Sequence, residues 1–340
     1  MNIKDKTYII AEMSANHAGD LEVAKKIIRG AKQAGADCIK VQTYTADTLT
    51  LNCQNEYFKI NAGKWSGYTL YDLYKEAAMP WEWQPLLKKE AEAQGLDFLS
   101  TAYDNTAVDF LETLDVKSYK VASFEIVDLP LIEYIAKKDK PILLSTGMST
   151  IEEIEEAIEV IRKHTQKEIT LLKCTSAYPA VYEDMDLCTL SDMKKRFKMC
   201  KIGFSDHSED HLSTIIAVSL GAEVVEKHIC LSKDIKTADS SFSLTIEDFA
   251  EMVRCIRKTE QALGRVSYGL KHGEENNLAF RKSIFFKKPI QIGEKITWEH
   301  LCIIRPGYGE KPKYLNTVIG KRLKKAKTFG EPLILEEIEV

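Results

Sequence analysis

The 340-residue sequence predicts an α/β fold, a (β/α)8 barrel followed by a small, mostly β C-terminal domain. Three observations carry that expectation. Short β-branched, near-continuously apolar runs recur eight times, with helical spacing between them, as buried parallel strands and their crossover helices require. The eight units span roughly 265 residues, close to the ~250 usual for this barrel. Beyond Ser283 the pattern changes to short apolar runs broken by Gly and Pro, with no long helical period.

Taken in order, the strand runs are "TYIIAEMS" (7–14), "CIKVQTY" (38–44), "DFLSTAY" (97–103) and "SYKVASFE" (118–125). They continue as "PILLSTG" (141–147), "ITLLKCTS" (169–176), "KIGFSDH" (201–207) and "VVEKHIC" (224–230). "LEVAKKIIRGAKQAG" (21–35) and "IEEIEEAIEVIRKH" (151–164) carry the helical period between them. An open doubly wound sheet is the alternative, but no G-x-G-x-x-G follows the first run. The connection from 45 to 96 is out of scale and holds three of the four tryptophans. A loop of that length reads as a lid or binding loop, or else as a satellite core. The domain reading is a catalytic barrel over 1–267, a polar linker over 268–282 and the β domain over 283–340. The basic run from Lys311 to Lys327 reads as a solvated face.

Composition narrows the function classes. No stretch of 18 or more residues is free of charge, so no membrane span is predicted. The N-terminal "MNIKDKTYII" lacks the apolar core and cleavage site of a leader. A net charge of −4 argues against nucleic acid as the main partner. Eight cysteines without a C-x-x-C pair, several inside apolar runs, fit reduced thiols in a cytoplasmic protein.

In such a barrel the chemistry sits at the C-terminal ends of the strands. Here those ends carry Glu12, Lys40 and Gln42, Thr101, Lys120 with Ser123 and Glu125, Ser145, Ser176 with Tyr178, Ser205 with His207, and Glu226 with His228. Histidines ending two consecutive strands ~4.8 Å apart can share a metal ion if the ends are level. One catalytic and one packing histidine is the other reading. Buried lysines need anionic company. Lys40 and Lys120, with the nearby hydroxyls, can surround a phosphate; a Schiff-base lysine at Lys173 or plain salt bridges are the rivals. Lys120 and Ser123 are out of phase, so a bulge or an early strand end is required there.

With those residues in view, the chain resembles the sialic acid synthase family over nearly its full length. "IIAEMSANHAGD", "KVQTY", "YKVASFE", "ILLSTGM", "LLKCTSAYP", "GFSDHS", "EKH" and "RPGYGE" fall in the family's order and spacing. The resemblance implies a tail like type III antifreeze protein (a SAF domain). It also implies metal-dependent condensation of phosphoenolpyruvate with an open-chain N-acylated amino sugar. "AEMSANH", "QTYTADTLTL" and "TLYDLYKEAAMPWEWQ" are most similar to the branch that makes pseudaminic acid, whose sugar is 2,4-diacetamido-2,4,6-trideoxy-L-altrose. Neuraminate or legionaminate synthesis is the alternative. An aromatic-rich lid suits that sugar's less polar face.

By the same resemblance His207 and His228 are metal ligands, for Mn2+, Mg2+ or Co2+. Lys40, Thr101, Lys120, Ser123, Ser145, Ser176 and Ser205 hold phosphoenolpyruvate, and Glu12 and Glu125 are the two catalytic carboxylates. Gln42, Tyr178 and Asp239 surround the sugar. Arg305 is lent by one subunit of a homodimer to the other's site. The chain departs from the family in having Ala18 in "NHAGD", and Ala102 and Tyr103 after the third strand.

Overall fold

A computed structural model describes residues 6–339; the first five residues of the stretch read for a leader, and residue 340, lie outside the described residues. The chain divides into two compact units, one running to Arg265 and the second starting at Val266. In the first, eight parallel strands alternate with helices in chain order. They are β1 (Tyr8–Glu12), α1 (Leu21–Ala34), β2 (Cys38–Thr43), α2 (Ala46–Leu49), α3 (Leu70–Ala77), α4 (Gln84–Ala93), β3 (Asp97–Ala102) and α5 (Asn105–Thr113). Next come β4 (Tyr119–Val121), α6 (Leu129–Ala136), β5 (Ile142–Ser145), α7 (Ile151–His164), β6 (Ile169–Cys174), α8 (Thr189–Arg196), β7 (Lys201–Asp206), α9 (Leu212–Ser219), β8 (Val224–Cys230), β9 (Leu244–Thr245) and α10 (Ile246–Leu263). Each of β1 to β7 pairs with the next strand, and β8 pairs back onto β1, so the sheet closes. The short β9 extends the sheet from the far end of β8.

Strand alternation divides the apolar residues into two layers. Ile9, Ala11, Ile39 and Val41 face outward and meet the apolar faces of α1, α4 and α10 in the main core. Ile10, Cys38, Leu99, Leu143, Leu172 and Val224 face inward and plug the barrel. Gly203 belongs to this inner level: a Cβ there would lie 2.6 Å from Leu172 Cδ2, so β7 reaches its neighbours only without one. The helices start on side-chain caps. Asp20 accepts from the amides of Glu22 and Val23, and Thr150 forms a capping box with Glu153.

Two sequence expectations are resolved here. β4 stops at Val121 and Ser123–Glu125 turns in a 3-10 helix, which is the early strand end that Lys120 and Ser123 demanded. The long 45–96 connection is not an unstructured loop, because α2, α3 and two short 3-10 turns break it up. Its amphipathic period was hidden by the aromatic residues that crowd it.

The second unit has its own core, built around Ile284, Phe286, Ile296, Val318, Leu323 and Leu333. A 3-10 segment, His272–Phe280, precedes β10 (Ser283–Phe286), which pairs antiparallel with β11 (Leu301–Ile304); a single helical turn, α11 (Leu315–Val318), follows. Antiparallel bridges join Ile290 to Lys327 and Lys295 to Arg322. Lys327, expected on a solvated face, is buried and paired with Glu337.

Candidate active site

Two residues beyond the inner apolar plug, ~7 Å up each strand, the inward positions turn polar. Ile10 gives way to Glu12, Cys38 to Lys40, Leu99 to Thr101, Leu143 to Ser145, and Val224 to Glu226. Parallel register sets Glu12 beside both Lys40 and His228. Lys40, Ser145 and Glu226 of this set line the bottom of a cavity of about 440 Å3 at the C-terminal mouth, within the range of roughly 300–1,000 Å3 usual for small-molecule sites.

The floor is a charge network. Lys40, 4% exposed, has its Nζ 2.8 Å from Glu12 Oε2, 3.3 Å from Glu226 Oε1 and 3.3 Å from Thr101 Oγ1. Burial opposes its charge, but the two carboxylates hold it protonated, above the ordinary lysine range. Burial and the like charge of Glu226 push the Glu12 carboxyl upward. Burial opposes the charge of Glu226 too, yet Lys40 and Lys120 keep it ionised, and Ser205 Oγ donates to it at 3.0 Å. Glu12 and Thr101 do not line the cavity. They lie beneath Lys40 and hold it, and Glu12 also accepts from Gln42 Nε2 at 3.1 Å.

Lys120 differs. It is 1% exposed, and its Nζ donates to Ser145 Oγ at 2.7 Å and to the Val121 carbonyl at 2.9 Å. Among the described residues no carboxylate lies within ion-pair distance of it, and burial pulls its pKa down. Beside it Ser123, Ser145, Ser176 and Ser205 line the cavity. Gly147 belongs to this cradle: a Cβ there would run into Ser176 Oγ and come within 2.8 Å of Ser123 Oγ. A buried ammonium without an ion pair, next to hydroxyls and an open backbone, is the environment for a phosphate or carboxylate ligand.

The histidines are level because Asp206 pairs with Lys227, which sets His207, just past β7, beside His228 within β8. The His207 and His228 rings lie 5.3 Å apart, and both line the cavity. His207 Nδ1 meets the Thr175 carbonyl at 2.9 Å; a carbonyl only accepts, so Nδ1 carries the proton and Nε2 keeps its lone pair. His228 Nδ1 is buried without a hydrogen-bond partner, and burial together with His207 keeps that ring neutral, well below the usual imidazole value. Burial opposes charge on His207, but Cys174 and the Thr175 carbonyl raise its pKa above the usual imidazole value; once that ring is neutral, each imidazole offers a nitrogen that fits a divalent metal ion. Among the described residues no third His, Cys, Asp or Glu completes a cluster with them, so the remaining positions stay open to substrate and water. Tyr178 lies over His207 at 4.3 Å, and Phe242 packs against both imidazoles, fixing the pair.

Alternation turns Asp206 and Lys227 to the outer side. Lys227 Nζ lies 2.7 Å from Asp206 Oδ2 and bonds to the Ser208 carbonyl, with both charged side chains fully buried. Lys173, between inward-facing Leu172 and Cys174, is likewise absent from the cavity lining, which removes the Schiff-base reading of that lysine.

The remaining candidates divide. Gln42, Glu125, Tyr178 and Asp239 line the cavity. Burial pushes the Glu125 carboxyl from 4.5 up to about 7, against the pull of Lys120. Asp239 is held from the Ala15 amide at 3.3 Å, and its loop is tied down by Asn16, which bonds to Ile229, Ser243 and Thr237. Arg305 lies exposed in the second unit. The long connection does roof the cavity: Ile60, Trp65, Leu73 and Tyr74 line it, and Lys64 and Trp65 both bond to the Ala238 carbonyl. Trp81 and Trp83 instead pack against the barrel core, and Tyr57 is exposed. Sequence reasoning gave no role to Tyr44, Tyr74, Tyr103 or Gly147. It named Glu226 without a task, although Glu226 follows inward Val224 by two residues and alternation alone marks it.

Comparison with known proteins gives the following. The model of the NeuB family matches residues 27–268, and that of the SAF domain matches 281–339. Pseudaminic acid synthase of Campylobacter jejuni subsp. jejuni is 41% identical over 332 residues, covering 98% of this chain and 96% of that one. N,N'-diacetyllegionaminic acid synthase of Legionella pneumophila subsp. pneumophila is 35% identical, covering 98% and 94%. Among solved structures, N-acetylneuraminic acid (sialic acid) synthetase from Leptospira borgpetersenii in complex with citrate superposes with a TM-score of 0.71 at 27% identity, covering 80% of this chain and 90% of that one.

Proposed function

The chain belongs to the NeuB family, and from that premise we propose that it makes pseudaminic acid. The substrates are phosphoenolpyruvate and open-chain 2,4-diacetamido-2,4,6-trideoxy-L-altrose, and phosphate is released. The observation that carries the reading is Lys120, a buried ammonium that makes no ion pair among the described residues and faces a cradle of serines around Gly147. Phosphoenolpyruvate supplies the two anionic groups that such a site needs.

The residues then divide the work. Lys120 and Lys40 neutralise the phosphate and carboxylate, while Ser123, Ser145, Ser176 and Ser205 donate hydrogen bonds; Thr101 and Glu12 keep Lys40 in position. Gln42, Tyr178 and Asp239 hold the sugar so that its aldehyde carbon faces the phosphoenolpyruvate methylene. A divalent ion on His207 and His228 supplies, when bound, Lewis-acid polarisation of the aldehyde oxygen. The methylene carbon bonds to the aldehyde carbon, and positive charge grows at C2 of the enol. Glu125, a carboxylate of the cavity wall, stabilises that charge and takes a proton from the water that adds to C2. The aldehyde oxygen, left as an alkoxide, takes a proton from solvent, and the C2 hydroxyl gives its proton to the departing phosphate as the C2–O bond breaks, leaving a 2-keto acid. Arg305 from the partner subunit of a homodimer completes the sugar site. The "RPGYGE" likeness supports that part, and the metabolic origin of phosphoenolpyruvate supports a cytoplasmic setting.

The test is phosphate release and product mass with purified protein, phosphoenolpyruvate, manganese and a panel of N-acylated sugars. The diacetamido altrose should be turned over best, and chelation should abolish turnover until metal is restored. Preference for N-acetylmannosamine or for the legionaminate precursor would replace the sugar assignment. Full activity after rigorous chelation would overturn the role of the histidines.

A further inference from the structure

Across the barrel from the histidines, the cavity wall is made by three tyrosines from three separate elements. Tyr44 follows β2, Tyr74 belongs to α3 and Tyr103 follows β3. In a closed ring of eight strands β3 stands opposite β7, so this wall is remote from His207. The rings hold one another edge-on: Tyr44 and Tyr103 have centroids 5.2 Å apart at 80°, and Tyr44 and Tyr74 lie 6.0 Å apart at 76°. Edge-to-face packing of this kind fixes ring orientation.

The phenol groups carry the argument. Tyr44 is only 5% exposed and lines the cavity, where a phenolic hydroxyl without a protein partner is free to meet a ligand. None of the three hydroxyls has a hydrogen-bond partner among the described residues, whereas Tyr8, Tyr119 and Tyr134 elsewhere in the barrel each bond to a carboxylate. Burial raises the pKa of all three, so they remain O–H donors throughout the physiological range. Leu49, Leu70, Leu73 and Ala77 supply aliphatic surface to the same cavity, and the Glu125 carboxylate acts on Tyr74 and Tyr103. A wall of phenol donors set among methyl and methylene groups matches a ligand group with one carbonyl acceptor and one methyl. That describes an N-acetyl group. A sugar hydroxyl would bring no methyl to meet the aliphatic wall.

We propose that Tyr44, Tyr74 and Tyr103 form the recess that binds the C4 acetamido group of the sugar and selects 4-acetamido sugars over 4-hydroxy ones. The inference rests on the function proposed above. With the aldehyde at the histidines, C4 lies three carbons away, toward the opposite wall, and the C2 substituent stays nearer the reacting centre. Tyr103 stands at one of the positions where this chain departs from the family pattern.

The experiment compares kcat/KM for the 2,4-diacetamido sugar with that for its 4-hydroxy, 2-acetamido counterpart, in the wild type and in Tyr44→Phe, Tyr74→Phe and Tyr103→Phe. Each substitution removes one hydroxyl and keeps the ring. Wild-type protein should prefer the diacetamido sugar. In at least one variant the preference should shrink about tenfold, the size of a lost hydrogen bond to a buried acceptor, through a higher KM for the diacetamido sugar. An unchanged preference in all three variants, or equal loss on both sugars, would overturn the proposal while leaving the proposed reaction intact. Wild-type turnover of the 4-hydroxy sugar alone would overturn the reaction assignment and this inference together.

Discussion

Lys120 and Glu125 face the same cavity, and each is held away from its ordinary ionisation by burial. Their functional value and their cost to folding have the same origin. Replacing Lys120 with Met removes a buried charge that no carboxylate contacts and that Glu226 offsets only from a distance, so thermal denaturation should show a variant at least as stable as the wild type. The same change should lower kcat/KM for phosphoenolpyruvate by about 10- to 100-fold, the worth of a charged hydrogen bond. A loss of stability together with activity would count against an anion site. Glu125 gives a pH prediction. Its folded pKa, pushed up to about 7, exceeds the ordinary 4.5, so between those values the folded state holds the extra proton. Stability contributed by this group therefore falls as pH rises from 4.5 through about 7. Denaturation of Glu125→Gln beside the wild type should show the variant gaining relative stability across that window and no further above it. Because the carboxylate is the working form, kcat/KM should climb through about pH 7. The residual activity of the Gln variant should lack that limb.

At the scale of elements, the ends of β7 and β8 are the critical pair. His207 and His228 face inward because Asp206 and Lys227 face outward, and the buried Asp206–Lys227–Ser208 contact holds the two ends level. Asp206→Ala strands a fully buried ammonium and should cost about 3–5 kcal/mol in chemical denaturation. Changing Asp206 to Leu and Lys227 to Met together should recover most of that stability. The single variant should also bind manganese more weakly, measured directly by titration, since its histidine-bearing ends lose their brace. If the double variant were as unstable as the single, the charge pair would not be the cause. Much of this element-level logic was legible in the sequence. The inward set follows from counting by two from the apolar plug. What counting could not reveal is that Glu12 and Thr101 lie beneath Lys40, because depth depends on how far each side chain reaches and on what it grasps.

On the scale of the molecule, the barrel carries the reaction chemistry and the second unit carries Arg305. The proposed homodimer makes a specific demand. Arg305→Ala and Lys120→Met proteins should each be weak alone. Mixed and allowed to exchange subunits, they should regain activity, because a heterodimer then contains one site with an intact barrel and an intact donated arginine. No gain on mixing, with exchange verified by native mass spectrometry, would sink the exchange of arginine between subunits.

By itself the sequence determined the closed α/β architecture and the level at which polar chemistry begins, since hydrophobic periodicity is a local property that survives without coordinates. It also marked both lysines, the serines and the two histidines, which sit at fixed offsets from apolar runs. Only the tertiary structure decided that Lys120 makes no ion pair among the described residues while Lys40 has two carboxylates. Only there do three tyrosines, from segments up to 59 positions apart in the chain, come together as one wall. Pairing and enclosure are properties of contacts between distant segments, and no count along the chain can supply them.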